Sequence, residues 1–221
     1  MWFKIKNNFA RGISTIELMV SIAIFVLIST AVLASYPQLS SGLSLDKTTQ
    51  EIASSLHETR MYGIGVKSVL GTRPAGFGVH FDKSKPDSYI LFSELNADKK
   101  YTSIGEKVSE YKISARETIS DICLMSSPDT GEQECGAVSS DGSNVYCLSG
   151  GKIDNIDILF LRPAPSVFIN GFGALYPAGI CDQTSQTCAI AELIVKSPRG
   201  QCKKIEVWTT GQVSVRAPKI Q

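Results

Sequence analysis

The chain has 221 residues, enough for one ordinary domain with an appendage and too few for several. Its 22 Lys+Arg against 21 Asp+Glu leave a net charge of +1, which gives no sign of a bulk electrostatic partner such as duplex DNA. Composition is ordinary for a globular protein, so whatever is special must be local.

The first twelve residues, "MWFKIKNNFARG", carry Lys4, Lys6 and Arg11 and no acid. An apolar run follows from Ile13 to Tyr36. As a helix rising 1.5 Å per residue it reaches about 36 Å, enough to cross a hydrocarbon core of about 30 Å. A secretory signal peptide has an apolar core of about 7–15 residues and a small-residue cleavage site, and neither fits here. A plain membrane anchor, with its basic flank held in the cytoplasm, accounts for the length and the charges. It does not account for Glu17, the only charged residue in the run. An acid at the centre of a membrane helix costs roughly 2.5–3.5 kcal/mol, so its presence calls for a function.

Taken in order, the basic leader, Gly12, Ile13, Ser14, Thr15, Ile16, Glu17, Leu18 and Met19 resemble the class III signal of type IV prepilins and type II secretion pseudopilins. Ile13 stands where that family usually has Phe. The resemblance implies cleavage between Gly12 and Ile13 by the prepilin peptidase, N-methylation of Ile13, and retention of the helix on the mature protein. It also gives Glu17 a role in assembly, as the counter-charge to the N-terminal amine of a neighbouring subunit. Two unpaired charges are costly in a low dielectric, and pairing them removes much of that cost. The implied partners are other pilin or pseudopilin subunits, the peptidase, an inner-membrane assembly platform and membrane lipid.

Past the apolar run, Pro37 is expected to kink the helix. Leu45, Thr49, Ile52, Leu56 and Thr59 then recur at steps of three and four, one narrow face on an otherwise polar segment. Gly63 and Gly65 weaken the helix, and Lys67 marks its expected end. From there the period changes to two. "AGFGVHFD", "SYILFSE", "VSEYKIS", "ETISDICLMS", "IDILFLR", "SVFI", "CAIAELIVKS" and "CKKIEVWTT" read as strands with turn residues between them. The last hairpin turns at Thr210-Gly211 and returns through Val213 and Val215.

The expected fold is α+β: a long N-terminal helix, half membrane and half amphipathic, packed on a β-rich antiparallel head. The divisions are a cleaved leader over 1–12, a membrane and filament-core helix over 13–36, its amphipathic continuation over 37–67 and a head over 68–221. The pieces "EIASSLHETR", "SYILFSELNADKKY" and "IEVWTTGQVSV" make the head similar to minor pilins and minor pseudopilins.

All six cysteines follow residue 120, in the part that would be exported, and their even number predicts disulfides. No C-x-x-C pair offers a zinc site. Cys181 and Cys188 enclose only "DQTSQT", so a local bridge there has the least chain entropy to overcome. Cys135 and Cys147 flank a segment with an Asp141-Gly142 turn, which suggests a bridge across a hairpin. Cys123 and Cys202 then remain as a third pair.

Enzyme signatures are thin, and the chain is expected to be non-enzymatic and to need no cofactor. "DTG" at Asp129–Gly131 is a single loop without the apolar flanks of an aspartic protease. Ser44-x-x-Lys47 matches a penicillin-recognising motif by spelling only, on an exposed helix side. His57 and His80 are expected on a solvated helix face and a strand. Glu94, Asn96 and Asp98 alternate at a spacing that can wrap Ca²⁺, without the Gly and bidentate Glu of an EF-hand loop; no metal is assigned, and these three stand as a candidate set. Lys196, Arg199, Lys203, Lys204, Arg216 and Lys219 gather late and would be the nucleic-acid contact if there were one, but no aromatic residues interleave them. The expected function is a structural subunit, minor rather than major, of a type IV pilus or a type II secretion pseudopilus. The rival is a membrane-tethered exported binding protein or hydrolase that never assembles.

Overall fold

The computed structural model describes residues 13–65, 68–69, 71–102, 104–113, 116–125, 145–148, 153–162, 167–173, 176–181 and 188–216, with the backbone alone at 145–146 and 176–181. The chain divides into two compact units, Met1–Ser40 and Ser41–Gln221. One helix, α1 (Thr15–Ile64), contributes to both.

In the first unit the Ser14 carbonyl accepts the Leu18 amide at 3.1 Å, which makes Ser14 the residue at which the helix begins. None of residues 13–40 is buried. Ile13, Phe25, Leu27 and Leu33 are 69–74% exposed, although such side chains gain about 1.5–3 kcal/mol each on leaving water. The hydroxyls of Ser21, Thr30 and Ser35 donate to the carbonyls of Glu17, Leu27 and Ala31 at 2.7, 2.9 and 3.3 Å, so these polar groups are satisfied within the helix. Among the described residues this is the one helix long and apolar enough to cross a membrane, by length and composition. Pro37 lies inside α1 without ending it.

In the second unit, the helix face read from the sequence is the face that is buried. Leu45, Thr49, Ile52, Leu56 and Thr59 are all covered, together with Thr48, Ala53, Ser55 and Gly63. Thr49 and Thr59 return their hydroxyls to the carbonyls of Leu45 and Ser55, at 2.6 and 2.7 Å, so they enter the core without orphaned groups. Gly63 allows close approach to the sheet: a Cβ there would sit 2.6 Å from the Phe160 carbonyl oxygen. Ser41 donates to Gln201 at 3.0 Å, and Lys203 pairs with Asp46.

The head is two antiparallel sheets. The first has the order β3 (Lys107–Lys112), β2 (Ser88–Glu94), β1 (Gly76–Asp82), β6 (Asn155–Leu161), β7 (Val167–Gly173), β8 (Tyr176–Cys181). The second has the order β11 (Val213–Arg216), β10 (Cys202–Trp208), β9 (Ile190–Lys196), β4 (Thr118–Met125), β5 (Val145–Cys147). Alternate residues of β1 and β6 point to opposite faces. Val79, Phe81, Ile156, Ile158 and Phe160 join Leu45, Ile52 and Leu56 of the helix and Ile122, Leu193, Ile205 and Val207 of the second sheet in one core. The fold is thus α+β, a long N-terminal helix on antiparallel sheets, as the sequence periods predict. The strands β5 and β8 were not expected.

The disulfide expectations need correction. Cys123 is bonded to Cys147, with their Cα atoms 4.1 Å apart, because β4 and β5 pair in a register that sets these residues directly opposite each other. Neither Cys135–Cys147 nor Cys123–Cys202 exists. The second is excluded by topology: β9 lies between β4 and β10, so two strand spacings of about 4.8 Å separate them, beyond the roughly 7 Å limit for a bridge. Cys188 and Cys202 are also disulfide-bonded. Cys135 and the side chain of Cys181 lie outside the described residues, so Cys181–Cys188 stays an expectation.

Candidate functional site

Gly12 lies outside the described residues. Ile13 is exposed and Glu17 stands exposed in the first turn of α1. A carboxylate in that turn is favoured by the partial positive charge of unpaired amides at the helix start, by about 0.3–1 kcal/mol.

The second constellation is in the head, on the connection between β2 and β3. This segment crosses the face of the first sheet that is turned away from the core. Its Tyr101 ring packs on His80 at 4.8 Å and on Phe92 at 5.6 Å. The Tyr101 amide donates to Asp157 Oδ2 at 2.9 Å, while Asp157 Oδ1 lies 2.6 Å from His80 Nδ1. The Asn170 amide group donates to the Lys99 carbonyl. Lys99 and Lys100 lie over the rings of Phe168 and Phe172 on β7, at 4.4 and 6.0 Å. The segment is a strap fastened at several points.

Its ends carry acids. Glu94 closes β2, and Glu106 ends a short 3-10 turn (Ile104–Glu106) immediately before β3. One carboxylate oxygen of Glu94, one of Asp98 and one of Glu106 lie within 4.8 Å of one another. Glu94 is 0% and Glu106 3% exposed. Each uses one oxygen to hold the strap. Glu94 Oε1 accepts the Asn96 amide at 3.2 Å; Glu106 Oε2 accepts the Thr102 amide at 2.9 Å and its hydroxyl at 3.0 Å. The other oxygens, Glu94 Oε2 and Glu106 Oε1, are buried with no hydrogen-bond partner among the described residues. Burial, then the charges of Asp98 and Glu106, push the Glu94 carboxyl above its ordinary value. Asn96, expected with Glu94 and Asp98, instead directs Oδ1 to the Asp98 amide at 3.2 Å and Nδ2 to Thr102 at 3.0 Å. Glu106 was missed because only the pairing of β2 with β3 brings it beside Glu94.

The remaining sequence candidates do not converge. Asp129–Gly131 lies outside the described residues. Ser44 is half-buried and Lys47 is paired with Glu51 at 3.6 Å. His57 is exposed. His80 is buried and held between Asp157 and the Tyr101 ring, an arrangement that fixes the strap. Of the late basic residues, Lys203, Lys204 and Arg216 are paired with Asp46, Glu192 and Glu206; Lys219 lies outside the described residues. A cavity of about 260 Å³ opens beside Phe81, Lys83, Lys85 and Ile119, with no histidine or cysteine in its lining. Comparison with protein-family models, with curated proteins and with solved structures finds no match for this chain.

Proposed function

We propose that the chain is a pilin-like structural subunit, made with a leader that is removed after Gly12. The mature protein is then N-methylated on Ile13 and assembled through its N-terminal helix. One observation carries this reading above the others: residues 13–40 bury nothing, expose apolar side chains all round, and admit one charge, Glu17, at the helix start. Exposed apolar surface of this extent belongs in lipid or against copies of itself. A carboxylate at that position is costly in lipid until a cation meets it, and the amine freed at Ile13 of a neighbouring subunit is such a cation. The head then lies outside the cytoplasm, where disulfides persist. A minor subunit of a type IV pilus or a type II secretion pseudopilus is the reading favoured, with the prepilin peptidase, an inner-membrane platform and sister subunits as partners. The acids that neutralise three of the late basic residues argue against nucleic acid as a ligand.

A membrane tether that never assembles has one observation in its favour: Glu17 in the first helical turn can stabilise its own helix without a partner. Intact mass of the membrane-extracted protein decides between the two. A chain beginning at Ile13 and carrying one extra methyl group supports the filament subunit; a retained leader supports the tether. Gly12→Leu should block cleavage and filament incorporation while leaving insertion intact. Glu17→Leu should be cleaved normally yet co-purify poorly with sister subunits, and equal co-purification would remove the counter-charge role.

A further inference from the structure

We propose that the strap between β2 and β3 is a calcium site, with Glu94, Asp98 and Glu106 as its carboxylate ligands. The proposal is independent of the filament reading, since it concerns the head alone.

Two of the three acids are fully or almost fully buried, and each presents a buried oxygen that nothing in the described chain satisfies. An unpartnered buried carboxylate oxygen is among the more costly groups a fold can carry, and native structures rarely keep one without a reason. Two such oxygens, belonging to acids that meet Asp98 within 4.8 Å, concentrate three negative charges at one spot. Among the described residues no cation is paired with them. Lys99 and Lys100 lie over aromatic rings on β7, and Lys107 is 2.6 Å from Glu110. No ion pair among the described residues reaches Glu94, Asp98 or Glu106.

The donor chemistry selects the ion. All three members of the cluster are carboxylates, and the nearby His80 is engaged by Asp157, so a hard divalent cation is favoured over zinc or copper. The backbone matches a wrapped cation as well. Glu94, Asn96 and Asp98 occupy alternate positions, and the Asn96, Asp98 and Lys100 amides fold back onto the side chains two residues earlier at 3.1–3.2 Å. Ala97 and Lys99 adopt left-handed conformations, with φ of 63° and 60°. Lys99 is the sixth residue counted from Glu94, the place where a helix-flanked calcium loop puts its glycine for the sharp turn. An acid then returns at Glu106, one residue later than the twelfth-position Glu of such loops. Calcium, with its flexible coordination, tolerates this departure, whereas magnesium demands near-ideal octahedral geometry. Because Glu94 and Glu106 stand at the two ends of the strap, the ion would clamp its base while Tyr101, Asp157 and Asn170 hold its middle.

The test uses the full chain in detergent micelles, stripped of divalent ions by chelation and titrated calorimetrically with CaCl₂ and, separately, MgCl₂. One calcium per chain is expected, with a raised melting temperature of the head. Asp98→Asn, an exposed change that leaves the core alone, should weaken calcium binding roughly 10-fold or more, since affinity follows ligand charge count. Glu106→Gln should weaken it further. The proposal is overturned if CaCl₂ gives neither heat nor a melting shift at about 10 mM, ten times the weak end of known protein sites. It is overturned equally if MgCl₂ binds as tightly as CaCl₂, or if Asp98→Asn binds calcium as wild type does. Should Glu106→Gln fail to fold, Asp98→Asn decides alone.

Discussion

Residues 15–40 and residues 41–64 belong to one helix, yet their side chains follow opposite rules. The first stretch is apolar on every side and buries nothing. The second is mostly polar, and its single narrow face of Leu45, Ile52 and Leu56 is almost wholly covered by the head. Hydrophobicity and burial therefore run in inverse order along the same element. A helix that is apolar all round has no preferred side to offer a core, so it needs a surrounding medium; a helix with one apolar stripe needs one surface. The lower half finds that surface within its own unit.

If the two halves answer to different environments, changes in the lower half should register in the stability of the head and changes in the upper half should not. The largest effect is expected from Leu56→Ala. This side chain is fully buried between helix and sheets, and its removal should cost about 4 kcal/mol in chemical denaturation of the full chain followed by far-UV circular dichroism. Removing the bridge with Cys123→Ala and Cys147→Ala together should cost about 3.5 kcal/mol, given 24 residues of sequence separation. Gly63→Ala forces a Cβ against the Phe160 backbone and should cost about 1–3 kcal/mol as overpacking. A smaller effect concerns Asp157. Burial raises its carboxyl above the ordinary 3.8, against the opposing pulls of His80 and the Tyr101 amide and with Asp98 adding to the rise. In the fold Asp157 holds its proton more tightly than when unfolded. Its contribution to stability is present below pH 3.8 and is lost as pH rises through the elevated value. Asp157→Asn should flatten that part of the melting-temperature profile. Last, Leu27→Ala should change head stability by less than about 0.5 kcal/mol; a loss of several times that would show that the upper half packs on protein after all.

The buried helix face was legible because steps of three and four with Leu, Ile and Thr have only one helical meaning. Central strands were legible for a similar reason: β1, β6 and β9 carry apolar residues that alternate or run together between turn residues. The two strands missed, β5 and β8, both lie at sheet edges. β5 has three residues, and β8 reads Tyr-Pro-Ala-Gly-Ile-Cys, whose Pro and Gly argue against a strand anywhere but an edge. The disulfide pairing was illegible because loop length ranks bridges by chain entropy, while strand register decides which sulfurs meet. Cys123 and Cys147 face each other through the β4–β5 ladder. In the acidic cluster, Glu94 and Asp98 were visible by spacing, whereas Glu106 is brought in by the pairing of β2 with β3 and the His80–Asp157 pair by strands far apart in sequence.

The bond between β4 and β5 also sets when the second sheet acquires its final border. β5 is a three-residue edge strand, too short to hold its place by backbone pairing alone, and the covalent link fixes it beside β4. While the thiols are still reduced, β4 is the outermost secure strand, and its free amides and carbonyls form a template on which a foreign strand can dock. Oxidation closes that template. With the bond formed, the border of this sheet is a three-residue strand in place of the eight-residue β4, and a shorter edge offers a foreign strand less to pair with.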